Sequence, residues 1–144
     1  MTLHLIKLCV GAASIADLEE WIAERGAAAR KAGRPFEQIH VTRMVPTRRD
    51  ELLDGGSLYW VIKGEVAARQ KLLDLRTFTD GEGIRRCGLV LDPTVVPVVP
   101  RPSRPFQGWR YLPAADAPKD LAGEESATDL PEDMRRELRD LGLL

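Results

Sequence analysis

The side chains with most to offer chemically in this sequence are aromatic and cationic. The stretch "DGGSLYWVIKG", residues 54–64, carries Tyr59, Trp60 and Lys63 on one short strand-like run. Arg69 follows beyond a glycine, Arg43 comes from an earlier segment, and "FQGWRY" supplies Gln107, Trp109 and Arg110, with Tyr111 beside them. Flat rings stack on bases, guanidinium groups pair with phosphates or purine edges, and a side-chain amide reads a base edge. Arg43, Tyr59, Trp60, Lys63, Arg69, Gln107, Trp109 and Arg110 are therefore the candidate ligand-binding set of a non-catalytic module for RNA or a modified nucleotide. Neighbouring side chains on a strand point to opposite faces. One of Tyr59 and Trp60 can then be core while the other faces a ligand, and the pattern does not say which.

Catalytic chemistry has thinner support. The chain has no Walker loop, dinucleotide fingerprint, GxSxG, HExxH or paired CxxC. A small hydrolase acting on a nucleoside-like substrate would draw on Lys63 with Glu65 or Asp92, because burial can bring a lysine and a carboxylate into the working range. His4 and His40 each sit in an apolar strand, where a lone histidine is more often structural than a general base. Cys87 lies between Arg86 and Gly88; two neighbouring cations would favour its thiolate, while the plainer reading is a small buried hydrophobe. His4, Cys9, His40 and Cys87 show no ligand-pair spacing for zinc. No catalytic residue, metal or cofactor is assigned.

The elements that must position these residues are short. Residues 3–10 read as a buried first strand. Ser14 opens a helix, with Asp17 placed for a capping box, Trp21 on its apolar stripe, and Gly33-Arg34-Pro35 ending it. From Gln38 to Val45 the period is two: Ile39, Val41 and Val45 share one face, His40, Thr42 and Met44 the other. Arg43 falls among the aliphatics, where an unpaired buried charge is costly, so it is expected at a strand end. "TRRDELLDGG" reads as a helical turn or loop, the glycines as a simple turn, and residues 58–63 as the next strand. Residues 65–76 have helix propensity but no cap, and are read as a long bent strand, with Val66, Ala68 and Leu72 facing one way and Ala67, Leu73 and Leu75 the other. Strands follow at 84–91 and 95–99, the latter at an edge because of Pro97. "RPSRPFQGWRYLP" reads as an extended segment, residues 113–130 as an acidic linker, and residues 131–144 as a short helix with Met134, Leu138 and Leu141 on its apolar stripe. That stripe would pack on the domain, on a protein partner or on a second copy in a homodimer.

The expected architecture is one α+β domain over residues 1–112, built on a small, mostly antiparallel, barrel-like sheet. With 144 residues, 44% of them hydrophobic, the chain can bury a core without staples. Two cysteines far apart in sequence do not make a disulfide framework, and a cytoplasmic location is expected. No apolar run reaches the ~20 residues of a membrane helix. Residues 1–110 carry 17 Lys and Arg against 13 Asp and Glu, and residues 111–144 carry 4 against 9, which together make the net charge of −1. A basic body with an acidic tail suits a polyanion on the body, or a tail folded back upon it.

"LHLIKLCVG", "DELLDGGSLYWVIKG", "ARQKLLDLRTFTDGEGIRRCGLVLDPTVV" and "RPFQGWRYLP" resemble an uncharacterised bacterial domain-of-unknown-function family over nearly the whole chain. Over roughly residues 37–105 the order of glycine turn, aromatic strand and following strands is also similar in layout to the EVE, ASCH and PUA group of small barrels. That second resemblance implies a PUA-like fold that binds RNA or modified bases. The lysine-and-threonine signature of hydrolytic ASCH members is not evident.

Overall fold

The computed structural model describes residues 2–121. Among them the fold is mixed α/β: one seven-stranded sheet and two α-helices. The strands are β1 (Leu3–Leu8), β2 (Gln38–Thr42), β3 (Ser57–Ile62), β4 (Glu65–Thr79), β5 (Arg85–Leu91), β6 (Val96–Pro102) and β7 (Trp109–Pro113). The helices are α1 (Ile15–Lys31) and α2 (Arg49–Leu53). The expected C-terminal helix and its docking role fall outside the described residues.

Strand order is β2-β5-β4-β3-β1-β7, with β6 paired to β4 off this path. All pairings are antiparallel except β1 with β3, which runs parallel. The path ends at β2 and β7, so the sheet does not close into the small barrel expected. The long strand β4 accounts for this. Its first half lies between β3 and β6, and its second half leaves them to pair with β5.

All six residues of β3 are buried, because both of its faces are covered. Trp60 and Leu58 join Leu5, Leu72, Leu89 and Leu91 in the main core, closed by Leu18 and Ile22 of α1 and Leu52 of α2. Tyr59 and Val61 join Val66 and Val98 in a second core, with Ile6, Leu8, Phe106, Leu112 and Ala117 packed against it. A strand covered on both sides reads as a continuous apolar run, which is what "SLYWVI" is.

The first helix is capped as its sequence predicts. Ser14 Oγ accepts from the Asp17 N–H at 3.2 Å, and the Asp17 carboxylate reaches back to the Ala13 N–H at 2.9 Å. Trp21 is half-buried against the main core rather than inside it. The glycines at 55 and 56 have different duties. Gly55 adopts φ 81°, a turn conformation. Gly56 is a close-packing position: a Cβ there would lie 2.2 Å from the Leu52 carbonyl oxygen and 2.3 Å from that of Leu3. Lys63 and Gly64, at φ 50° and 77°, form the two-residue link between β3 and β4, where both central residues need positive φ.

Several readings change. The bent strand read over residues 65–76 is one strand running to Thr79, but Ala67 and Leu73 are the extra residues of two bulges. Each bulge flips the alternation, so Ala67, Leu72 and Leu75 share the main-core side while Val66 faces the second core. In β2 the polar residues turn inward: Gln38 and Thr42 are buried, whereas Ile39 and Val41 are 38% and 46% exposed. Residues 109–113, read as an extended segment, are an edge strand on β1. The stretch expected as linker from residue 113 begins inside β7, and residues up to 121 are laid on the sheet. Val99 N–H donates to the Lys119 carbonyl at 2.8 Å, Val98 bridges Asp120, and Pro118 and Leu121 are buried.

Candidate functional site

Parallel pairing of β1 with β3 sets Leu5 opposite Leu58 and so carries His4 alongside Ser57. The Ser57 N–H donates to His4 Nδ1 at 3.0 Å. That bond fixes the tautomer: Nδ1 is the acceptor and the ring proton sits on Nε2. Burial, and secondly the Arg69 charge, hold the His4 pKa below its ordinary value, so the imidazole is neutral.

Antiparallel pairing of β3 with β4 places Arg69 directly across from Tyr59, on the same face. Arg69 Nη1 donates to Ser57 Oγ at 3.0 Å, and its Nε and Nη2 donate to the two carboxylate oxygens of Asp120, both at 2.7 Å. The paired bonds hold the Asp120 carboxyl below its usual range and raise the Arg69 guanidinium further. Tyr59 meets the His4 ring edge-on, with centroids 5.0 Å apart. Burial pushes its phenol up. These side chains line a shallow, open cleft of about 400 Å³, together with Ala114, Ala117, Pro118 and Lys119. With His4 neutral, the lining carries the Arg69 fork, Lys119, the His4 imidazole and the Ser57 and Tyr59 hydroxyls, the last three residues less than a tenth exposed. Such a donor set suits an anion, and among the described residues Asp120 is the one carboxylate lining the cleft.

The opposite face of the same two strands holds a second polar cluster. Gln70 is fully buried; its Oε1 accepts from Trp60 Nε1 at 2.9 Å and from Gln38 Nε2 at 3.2 Å. Its Nε2 donates to Gln38 Oε1 at 2.7 Å and to the Asp92 carbonyl at 2.9 Å. His40 stands edge-on to Trp60, centroids 5.1 Å apart, and its Nε2 is buried without a hydrogen-bond partner. Burial first, then the charges of Lys7 and Arg25, lower the His40 pKa to about 4. A base that weak is far from the poise near 7 that general-base work favours.

Of the eight residues singled out by type and spacing, Tyr59 and Arg69 meet in the cleft. Trp60 and Trp109 are on the other face, buried, with their indole N–H groups committed to Gln70 and, at 2.8 Å, to the Met44 carbonyl. Neither ring presents a free face for stacking. Arg43 is exposed in the bend just after β2 ends, and Gln107 is exposed before β7. Lys63 is exposed at the hairpin tip. Arg110 is exposed, with its guanidinium 4.6 Å above the Phe106 ring.

The chain belongs to DUF1489, a family of proteins of unknown function. The family model matches residues 5–144, which takes in every residue of the cleft except His4, immediately before it. No curated protein and no solved structure matches the chain. Cleft residues that composition and spacing missed in this DUF1489 chain are His4, Ser57, Lys119 and Asp120. The first two become neighbours only through the parallel pairing, and the last two sit in a stretch whose composition reads as linker.

Other chemistry considered for the chain has no comparable geometry. Lys63 and Glu65 both border a separate cleft of about 420 Å³ beside the start of α1, yet no ion pair joins them. Asp92 accepts from the Thr94 N–H at 2.9 Å and so closes a turn. Cys9 and Cys87 are free and buried, and burial raises both thiols, Cys9 to about 11. Among the described residues there is no cluster of metal-ligating side chains, and no helix is long and apolar enough to cross a membrane.

Proposed function

We propose that this protein is a non-catalytic binding module for a phosphate-bearing ligand of the nucleotide class, a modified nucleotide or the end of an RNA strand, received in the cleft at Tyr59 and Arg69. The observation that carries the reading is the Arg69 fork, braced by Ser57 Oγ and already holding two carboxylate oxygens at 2.7 Å. Planar two-point donation of this kind matches phosphate as well as carboxylate. Neutral His4 and Tyr59 bring N–H and O–H donors without adding a negative charge that would repel the anion. A cleft of about 400 Å³ falls in the size range of small-molecule sites. The nucleotide class comes from the sequence, whose element order over roughly residues 37–105 is similar in layout to the EVE, ASCH and PUA group.

The reading moves the ligand from the tryptophans to the face that Tyr59 and Arg69 share. Calorimetric titration with uridine 5′-monophosphate, uridine and inorganic phosphate tests it. The monophosphate and phosphate should bind and uridine should not, and Arg69→Gln should weaken binding at least tenfold, the size of a lost charged hydrogen bond of about 1.5–3 kcal/mol. Equal binding of uridine and its monophosphate, or an Arg69→Gln protein that binds normally, would sink the proposal.

A further inference from the structure

Asp120 sits in the cleft as a ligand would. Both of its carboxylate oxygens are taken by the Arg69 fork, whose remaining nitrogen is braced on Ser57. Its backbone is held independently of that contact. Val99 N–H donates to the Lys119 carbonyl, Val98 bridges Asp120, and the flanking Pro118 and Leu121 are buried. The carboxylate is therefore not what keeps the segment in place. Its side chain is 36% exposed, so it can leave the fork by rotating about its own bonds while the backbone stays where it is.

We infer that Asp120 is a tethered competitor, which fills the anion position of the cleft when it is empty and turns out when a phosphate group enters. The inference rests on the reading of the cleft as a site for a phosphate-bearing ligand. A group on a short tether acts at an effective concentration on the order of millimolar or above. Free ligand must overcome that concentration before it reaches Arg69. Every ligand is thereby weakened, and one that adds contacts elsewhere in the cleft, to His4, Tyr59 or Lys119, recovers more of that loss than phosphate alone.

The test is calorimetry on the full chain with inorganic phosphate and uridine 5′-monophosphate as probes, comparing the unaltered protein with Asp120→Asn and Asp120→Glu. Asp120→Asn removes the competing charge, and affinity for both probes should rise tenfold or more. Asp120→Glu keeps a counter-charge for Arg69 but displaces the carboxylate by one methylene; affinity should rise by a smaller factor. Adding Arg69→Gln to Asp120→Asn should abolish the gain. The chain has two histidines, so the His4 ring proton resonance should move with each titration while that of His40 stays. If both Asp120 variants bind no more tightly than the unaltered protein, yet Arg69→Gln still loses binding, the competitor is refuted and the site stands. If neither probe binds any variant, the site itself is refuted and the competitor with it.

Discussion

Arg69 and Gln70 are consecutive residues on β4, and Tyr59 and Trp60 are consecutive on β3, yet the two pairs build opposite kinds of polar cluster. Gln70 is wholly buried, and its amide is joined to Gln38, Trp60 and the Asp92 carbonyl. Every partner there is neutral. A buried polar network pays its desolvation only when it is complete, and a complete one fixes register. Arg69 instead is charged, a quarter of its side chain is open to water, and its carboxylate partner can rotate away. The closed cluster is structure, and the open one has the makings of a site. The difference is one of exposure and charge, not of distance along the chain.

The largest effect should come from breaking what both clusters share. Gly56 stands just before Ser57, pressed against the Leu52 and Leu3 carbonyls. Gly56→Ala has to move backbone, and is expected to cost more than about 4 kcal/mol or to leave no folded protein in urea denaturation. Gly88→Ala is its control. There the clash, at 2.9 Å, is with the Cγ2 of the Ile39 side chain rather than with backbone. A smaller loss, of about 1–3 kcal/mol, is expected.

Next in size, Gln70→Leu should open the closed cluster. It leaves the Trp60 N–H, the Gln38 amide and the Asp92 carbonyl without partners, at about 1–3 kcal/mol for each group that cannot find water. Chemical denaturation reads this directly, and a neutral result would mean that the network is not what specifies the core.

His40 gives the closed side a pH signature. Its folded pKa, about 4, lies below the 6.5 it has when unfolded. Between those values the unfolded chain takes up a proton that the folded one refuses. The His40 contribution is thus complete above pH 6.5 and is lost as the pH falls toward 4, by ~3 kcal/mol at most. His40→Phe keeps a ring beside Trp60 and should flatten the fall in stability between pH 7 and 4.5. Parallel curves for the two proteins would overturn the assignment.

The smallest stability effect should come from the open side. Arg69→Gln removes a partly exposed pair and should cost about 1 kcal/mol or less. Its loss of anion binding should be far larger in proportion. A variant that unfolds before it stops binding would erase the distinction between the two clusters.

Much of the fold was legible from local pattern. The Ser14 cap, the helix stop at Gly33 and the bent strand read over residues 65–76 follow from chemistry within a few residues. Period two also placed Tyr59 and Trp60 on opposite faces. The inward turn of Gln38 and His40 was not legible, because alternation marks two faces without saying which one α1 will cover. In β2 that choice went against hydrophobicity, since Gln38 had Gln70 to meet and Ile39 and Val41 were left outward.

The sequence by itself determined the elements and the residue types available to the cleft: a strand with Tyr59 and Trp60 back to back, and an arginine two residues before Lys71 on the strand that returns beside it. Only the tertiary structure decided which of them meet. His4 reaches Ser57 through a parallel pairing 53 residues apart, and Asp120 reaches Arg69 across 51 residues. Contacts of that separation are selected by how whole strands and segments pack, which no local pattern encodes. Bulges at Ala67 and Leu73 decided the remaining faces of β4, because an extra residue flips every side chain beyond it.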